Sequence, residues 1–148
     1  MIIYFDTSAL LKSLINEKGS EEVIELLAAN ARVGTAEITR AEISAALAKA
    51  VRMGAADRGI ATTALTRFRS EWPGWMRHQI TNELVAQGDS IAWEYGLRGY
   101  DAIHLAAAQH WDRVFDDRVV LATYDRRLWR AANATGLVAW PPDLEEAW

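Results

Sequence analysis

The sequence predicts an α/β fold built around a mainly parallel sheet, with helix predominating. Apolar runs of strand length alternate with helical segments through short connections, which is typical of such folds. The first run, Ile2–Phe5, is apolar throughout, as expected for a strand buried on both faces. A second strongly apolar run covers residues 119–123. Together these runs favour a sheet whose two faces are covered by helices.

The other elements follow from helical periodicity and from stop signals. Ser20 begins a helix as an N-cap residue, and Ile43, Leu47 and Val51 form a stripe that ends at Gly54. We expect helices over 8–16, 20–30, 36–53, 56–70, 82–95 and 100–111, and from residue 126 to about 134. We expect weaker strands over 32–35, 78–81 and 136–140.

Length and composition indicate one ordinary globular domain over residues 1–148. Apolar residues make up 51% and charged residues 24%, and no linker or internal repeat divides the chain. The absence of cysteine excludes disulfides and thiolate metal sites. No apolar run reaches the length of a membrane span, and no basic leader precedes one, so we expect a cytoplasmic protein without a membrane partner.

The net charge does not exclude a nucleic-acid partner. The chain carries a formal charge of −4, with 20 acidic residues against 16 Lys and Arg. If four acids gather in one site, 20 − 4 leaves 16 acids, which balance the 16 bases. Most of the bases are Arg, whose fork of donors suits phosphate oxygens, although such a composition also arises from a GC-rich genome.

Four acidic residues are candidates for a functional site. Asp6 and Asp125 each follow a predicted strand, so both should lie at the carboxyl edge of a parallel sheet. Asp101 opens the most apolar helix, and Glu42 lies in the first turns of helix 36–53. Structural alternatives remain open for Asp101, Asp125 and Glu42: a helix-dipole partner, an N-cap and a solvated helix residue. Asp6 is not needed as an N-cap, because Thr7 or Ser8 can cap the helix that follows.

Grouped carboxylates repel one another, so a cluster needs protons or cations to be stable. Ligand sets made only of oxygen suit Mg²⁺ or Mn²⁺, which support the displacement of phosphate esters. A cluster of these four acids in a chain without cysteine therefore favours phosphoryl chemistry.

Four segments together resemble those of the PIN-domain ribonucleases, particularly the VapC toxins of toxin–antitoxin modules. The segments are Asp6-Thr7-Ser8-Ala9-Leu10, Arg40-Ala41-Glu42-Ile43, residues 97–106 (LRGYDAIHLA) and residues 122–128 (ATYDRRL). They occur in the family order, and the resemblance extends from residue 1 to about 140. It implies a PIN-like three-layer α/β/α sandwich.

The resemblance also implies a function: a Mg²⁺-dependent endoribonuclease that acts as the toxin of a type II toxin–antitoxin system. Its substrate would be RNA, its inhibitor a VapB-type antitoxin, and its assembly a homodimer. Ser8 and Thr123 match hydroxyl positions that steady the site. The positions that match the family's Mg²⁺ or Mn²⁺ ligands, which are also its catalytic acids, are Asp6, Glu42, Asp101 and Asp125.

Several other polar residues invite a functional interpretation. Arg98 precedes the Asp101 helix, where it either contacts the RNA backbone or pairs with a neighbouring acid. Glu37 competes with Glu42 for the site but lies about 140° away around a helix, and it fits the helix start better. His104 fits a packed, hydrogen-bonded histidine better than a metal ligand, while His78 and His110 lack matched partner spacing.

The seven tryptophans are interpreted mainly as packing residues. Trp93, Trp111 and Trp129 lie in helical segments and are expected in the core or at a dimer contact. Trp72 and Trp75 flank a Pro-Gly turn, where partial exposure in an antitoxin groove is one hypothesis and plain packing is the favoured one.

Other function classes fit less well. A phospho-acceptor receiver domain needs an adjacent acidic pair and a late lysine, but no lysine follows Lys49. A haloacid-dehalogenase-type phosphatase needs a second Asp where Ser8 stands, and no P-loop motif is present. The main alternative is a catalytically silent binding module with the PIN fold.

Overall fold

The structure is a computed structural model that describes residues 1–30 and 32–145. The strands are β1 (Ile2–Phe5), β2 (Val33–Ala36), β3 (Met76–His78), β4 (Val119–Ala122) and β5 (Val138–Trp140). The helices are α1 (Thr7–Lys12), α2 (Ser20–Ala29), α3 (Thr39–Arg52), α4 (Arg58–Glu71), α5 (Asn82–Tyr95), α6 (Gly99–Val114) and α7 (Arg126–Ala134). None of these described helices is both long and apolar enough to cross a membrane.

The five strands form one sheet in the order β3-β2-β1-β4-β5, and every neighbouring pair is parallel. Strand β1 lies at the centre and all four of its residues are buried. Its register with β4 pairs Phe5 with Ala122, so the residues that follow the two strands are neighbours. The backbone N–H of Asp6 donates to the carbonyl of Ala122 at 3.0 Å. The sheet therefore brings two chain-distant segments to one edge.

Alternation along β1 divides the core into two layers. Ile3 and Phe5 pack with residues of α1 to α4 on one face of the sheet. Ile2 and Tyr4 pack with residues of α5 to α7 on the other face. Successive side chains of a strand point to opposite faces, which explains this division. The predicted three-layer, helix-rich α/β sandwich with a parallel sheet is confirmed.

Several predicted boundaries shift in the structure, among them the start of α3 from residue 36 to Thr39 and the end of α6 from residue 111 to Val114. Helix α1 ends at Lys12 rather than residue 16, and the Ser13 hydroxyl donates to the Leu10 carbonyl at 2.7 Å where the chain turns. Strand β3 begins two residues earlier than expected because its register with β2 pairs Gly34 with Met76 and Ala36 with His78. Pairing with a neighbouring strand, which local sequence does not encode, set this boundary.

The structure separates packed from exposed tryptophans. Trp72 is buried against Phe68, which agrees with the packing interpretation rather than with partial exposure in a groove. Trp93 is 91% exposed, so the core alternative fails and only the dimer-contact interpretation remains a prediction. Trp111 is buried as expected, while Trp129 and Trp75 are partly buried.

Gly34 lies so close to the Trp111 ring that a larger residue at this position is expected to clash. A Cβ on this residue of β2 would lie 2.5 Å from the Trp111 ring, which packs under the strand. We expect Gly34→Ala to lower the free energy of unfolding by roughly 1–3 kcal/mol through overpacking. Urea denaturation measures this. Gly74→Ala is the control, because no atom lies within 4 Å of its added Cβ, and equal effects in both variants would contradict the prediction.

Candidate active site

Asp6 is the most buried acid of the candidate site, with 2% of its surface exposed at the end of β1. Its Oδ1 accepts from the Ala9 backbone N–H at 2.9 Å and from the Ser8 hydroxyl at 2.7 Å. Its Oδ2 accepts from the Thr123 hydroxyl at 2.6 Å. Asp6 is therefore the N-cap of α1, and the expectation that a following hydroxyl would take this role is wrong. The two hydroxyls are used instead as donors to the carboxylate or to its neighbours.

Burial governs the ionisation of Asp6. Desolvation raises the pKa of its carboxyl above the usual value, although the positive charge of His104 and the hydrogen bonds from Thr123, Ala9 and Ser8 oppose this. The negative charge of Asp6 is therefore only partly compensated by the groups around it. A nearby cation would relieve this cost.

Ser8 and Thr123 connect the two strand ends. The Ser8 hydroxyl accepts from the Tyr124 backbone N–H at 2.9 Å, and the Thr123 hydroxyl accepts from the Asp125 backbone N–H at 3.0 Å. Each hydroxyl thus donates to Asp6 and accepts from the segment that follows β4. These contacts agree with the predicted supporting positions, and they fix Asp125 relative to Asp6.

Arg98 joins the other two aspartates. Its Nε donates to Asp101 Oδ2 at 2.9 Å, and a terminal guanidinium nitrogen donates to Asp125 Oδ2 at 3.0 Å. Asp125 also caps α7, because its Oδ1 accepts from the Leu128 backbone N–H at 2.9 Å. Of the two roles left open for Arg98, pairing with an acid is therefore observed. The Arg98 side chain is 75% exposed to solvent.

Asp101 lies in the first turn of α6, as predicted. Its side chain is half-buried and senses the charge of Asp125. Burial raises the pKa of Asp101 and the charge of Asp125 raises it further, against the hydrogen bond and charge of Arg98. One guanidinium therefore does not fully balance the two carboxylates. Both acids lie where additional positive charge is favourable.

Glu42 reaches the site from the first turn of α3. Its Oε1 accepts from the Thr7 hydroxyl at 2.8 Å and from His104 Nε2 at 2.7 Å. Burial alone would raise the pKa of Glu42, but the hydrogen bond and charge of His104, followed by Thr7 and Arg98, lower it. Glu37 lies before α3 begins, with a carboxylate oxygen 3.6 Å from Arg77, so Glu42 is the acid that faces the site.

The environment of His104 was predicted, whereas the contact between His78 and His110 was not. His104 is 1% exposed and hydrogen-bonded, as predicted. His78 and His110 were expected to lack partners, but His78 Nε2 lies 2.7 Å from His110 Nδ1. The tertiary fold brings His110 of α6 beside His78 of β3, which residue spacing does not reveal. Sequence reasoning also missed Tyr4 and Thr7, although both flank Asp6 closely.

The donor set fits a hard divalent cation in its chemistry. All four acids provide oxygen ligands, and among the hydrogen bonds of the described residues, Glu42 Oε2 and Asp101 Oδ1 receive no donor. Within residues 1–30 and 32–145, however, no three Asp, Glu or His side chains are grouped closely enough to hold a metal ion. Arg98 lies between Asp101 and Asp125 in this arrangement. The closed four-carboxylate cage thus stays a prediction.

Comparisons with known proteins agree with this fold. Residues 3–134 match the PIN domain family. Ribonuclease VapC45 of Mycobacterium tuberculosis (strain CDC 1551 / Oshkosh) is 31% identical over 144 residues, covering 97% of this chain and 98% of the relative. The crystal structure of PAE2754 from Pyrobaculum aerophilum superposes with a TM-score of 0.70 at 21% identity, covering 99% and 96% of the two chains. That of FitAcB from Neisseria gonorrhoeae gives 0.68 at 20% identity, covering 95% and 98%.

The parallel sheet with acids at its carboxyl edge is thus that of a PIN domain, and the chain belongs to the PIN-domain family. Within that family its curated relatives are ribonucleases of the VapC group, which agrees with the resemblance found in the sequence.

The raised pKa of Asp101 predicts a pH-dependent stability effect. Ionisation of a carboxyl whose pKa is raised by folding lowers stability above its folded-state pKa, and this cost disappears as pH falls towards its unfolded value of about 3.9. In the presence of EDTA at about pH 7–8, we expect the melting temperature of Asp101→Asn to be a few degrees above that of the wild type. The difference in melting temperature should shrink as the pH falls towards about 4. Scanning fluorimetry measures both curves.

The matched control is Asp89→Asn, which changes an exposed aspartate on α5. This variant should melt like the wild type at every pH. A melting temperature for Asp101→Asn below that of the wild type at neutral pH would contradict the prediction.

Proposed function

We propose that this chain is a divalent-metal-dependent endoribonuclease that acts as the toxin of a type II toxin–antitoxin pair. The main supporting observation is that chain-distant acids meet at one edge of the sheet with incompletely balanced charge. Burial raises the pKa of both Asp6 and Asp101. The names of the curated relatives supply the substrate class, since these proteins are called ribonucleases.

In this proposal the catalytic and metal-binding residues are Asp6, Glu42, Asp101 and Asp125. Mg²⁺ or Mn²⁺, when bound, supplies Lewis-acid chemistry for hydrolysis of an RNA phosphodiester. The surrounding residues hold the acids in place before substrate arrives. Ser8 and Thr123 fix the Asp6 carboxylate, and the N-cap contact with Leu128 fixes Asp125. Such preorganisation lowers the cost of assembling the site at the moment of reaction.

Arg98 is proposed as the residue that meets the RNA backbone. Its guanidinium is mostly exposed and lies against both Asp101 and Asp125. An arriving phosphate is therefore expected to find a planar fork of donors at the rim of the acidic site. While no phosphate is present, the positive charge of the same side chain reduces the repulsion between the two carboxylates.

The proposed partners follow from the VapC relationship. A VapB-type antitoxin would inhibit the enzyme, the working assembly would be a homodimer, and the protein would act in the cytoplasm on RNA. Trp93, which is exposed on α5, is a candidate dimer contact. The competing proposal is a catalytically silent PIN-fold module, which the following experiment separates from an enzyme.

Asp6→Asn should lower RNA cleavage by about 100-fold or more, since the site loses one of the carboxylate charges proposed to hold the metal ion. Asn remains a good N-cap residue, so the melting temperature should stay close to that of the wild type. The measurement is cleavage of total RNA by the purified protein with Mn²⁺ or excess EDTA. Mapping RNA ends after brief expression identifies the cleaved sites.

Asp89→Asn again serves as the control and should cleave like the wild type. Full cleavage by Asp6→Asn, or by the wild type in excess EDTA, would reject a metal-dependent enzyme at this site. No cleavage and no Mn²⁺ binding by the wild type would favour the silent module.

Arg98→Gln should separate substrate binding from metal binding. Loss of the guanidinium removes a phosphate contact, so KM for RNA should rise severalfold, while Mn²⁺ affinity should stay equal or increase because Asp101 and Asp125 lose a competing cation. Cleavage kinetics and isothermal titration measure the two effects. Arg113→Gln, near the opposite end of α6, is the matched control. An unchanged KM for Arg98→Gln would assign Arg98 to charge balance alone.

A further inference from the structure

A line of three polar side chains runs from the core to the candidate site. The Tyr4 hydroxyl lies 2.8 Å from His104 Nδ1. On the other side of the ring, His104 Nε2 lies 2.7 Å from Glu42 Oε1. Tyr4 belongs to β1, His104 to α6 and Glu42 to α3, so the line joins one layer of helices to the other across the end of the sheet.

The Tyr4 hydroxyl and the Glu42 carboxylate contact opposite nitrogens of the His104 ring. His104 Nδ1 lies against the Tyr4 hydroxyl, and Nε2 lies against Glu42 Oε1. Because a carboxylate oxygen accepts, Nε2 donates to Glu42 in both the neutral and the protonated ring. An imidazole held from behind in this way presents a donor of fixed position and direction to Glu42.

Packing alone does not explain His104. It is the only titratable side chain among the buried residues of α6, which otherwise contribute Ala, Ile, Leu and Trp. A leucine would fill a similar volume without the cost of burying an imidazole. In the described part of the chain, every buried side-chain nitrogen or oxygen has a partner, so this polar line is fully satisfied. A satisfied polar line that ends at a candidate ligand has the form of a support for that ligand.

The contacts on Glu42 are also asymmetric. Both of its donors, His104 and Thr7, contact Oε1, and Oε2 receives none from the described residues. The carboxylate is therefore fixed through one oxygen while the other is left for a different contact. This asymmetry is what a ligand with a preset orientation requires.

We infer that Tyr4 and His104 are positioning residues, which hold the Glu42 carboxylate through Oε1 so that Oε2 is available to a divalent cation. The inference rests on the proposed function and adds two residues to it. Neither side chain contacts the cation or the RNA. Their effect on both is transmitted through the orientation of Glu42.

The test compares variants that delete single atoms or donors in the full-length protein. Tyr4→Phe removes the hydroxyl but keeps the ring that packs edge-on against Trp111 at 5.4 Å between centroids. His104→Leu removes the donor to Glu42, and His104→Gln restores an N–H donor of similar reach. Removal of such a supporting contact typically weakens metal binding or activity by about 10–100-fold.

We therefore expect His104→Leu to raise the Kd for Mn²⁺, titrated as the chloride, by about 10-fold or more and to lower kcat in the same range. KM for RNA should change little. Tyr4→Phe should shift both in the same direction but less, and His104→Gln should recover most of the loss. His78→Gln is the matched control, since it also removes a buried imidazole hydrogen bond, and it should lower only the melting temperature.

Three results would overturn the inference. Mn²⁺ affinity and kcat within twofold of the wild type in both His104→Leu and Tyr4→Phe would exclude a positioning role. Losses that simply follow melting temperature, in His78→Gln as much as in His104→Leu, would assign His104 to stability. A wild-type protein that neither binds Mn²⁺ nor cleaves RNA would remove the proposed function itself, and the inference with it.

Discussion

The cost of burying and pairing carboxylates is the constraint around which the carboxyl edge of this sheet is arranged. Asp6 and Asp125 follow the adjacent parallel strands β1 and β4, and Arg98 joins Asp125 to Asp101 at the start of α6. Each carboxylate therefore needs a compensating group. Arg98 lies between two of them, and hydroxyl and backbone donors surround Asp6. These contacts offset the cost of burying Asp6 and of pairing Asp101 with Asp125.

The compensation differs from acid to acid. Asp6 receives donors on both oxygens yet keeps a raised pKa, because burial outweighs its hydrogen bonds. Glu42 keeps a lowered pKa because its buried partner His104 provides a hydrogen bond and positive charge. The region thus contains one acid whose ionised form is disfavoured, Asp6, and one whose ionised form is stabilised, Glu42. Sites that bind cations commonly keep such unbalanced charge, and stability without the cation is reduced as a consequence.

Much of the fold was predictable because local pattern and global packing agree. The buried run Ile2–Phe5 predicted a central strand, and the stripe formed by Ile43 and Leu47 predicted a helix against it. The sequence pattern gave wrong boundaries where contacts between distant segments determine the structure. Strand β3 follows the register imposed by β2. That register leaves no signal in the neighbouring sequence, because it depends on residues brought together by the sheet.

The sequence by itself determined the α/β class and the family and singled out the four candidate acids, because these depend on residue order and on motifs that occupy consecutive positions. Tertiary structure decided how each acid is held. The hydrogen bond from Thr123 to Asp6, the link from Arg98 to Asp125, and the line from Tyr4 through His104 to Glu42 all join residues from different elements. Their distances follow from strand pairing and helix packing. A one-dimensional pattern does not contain that information.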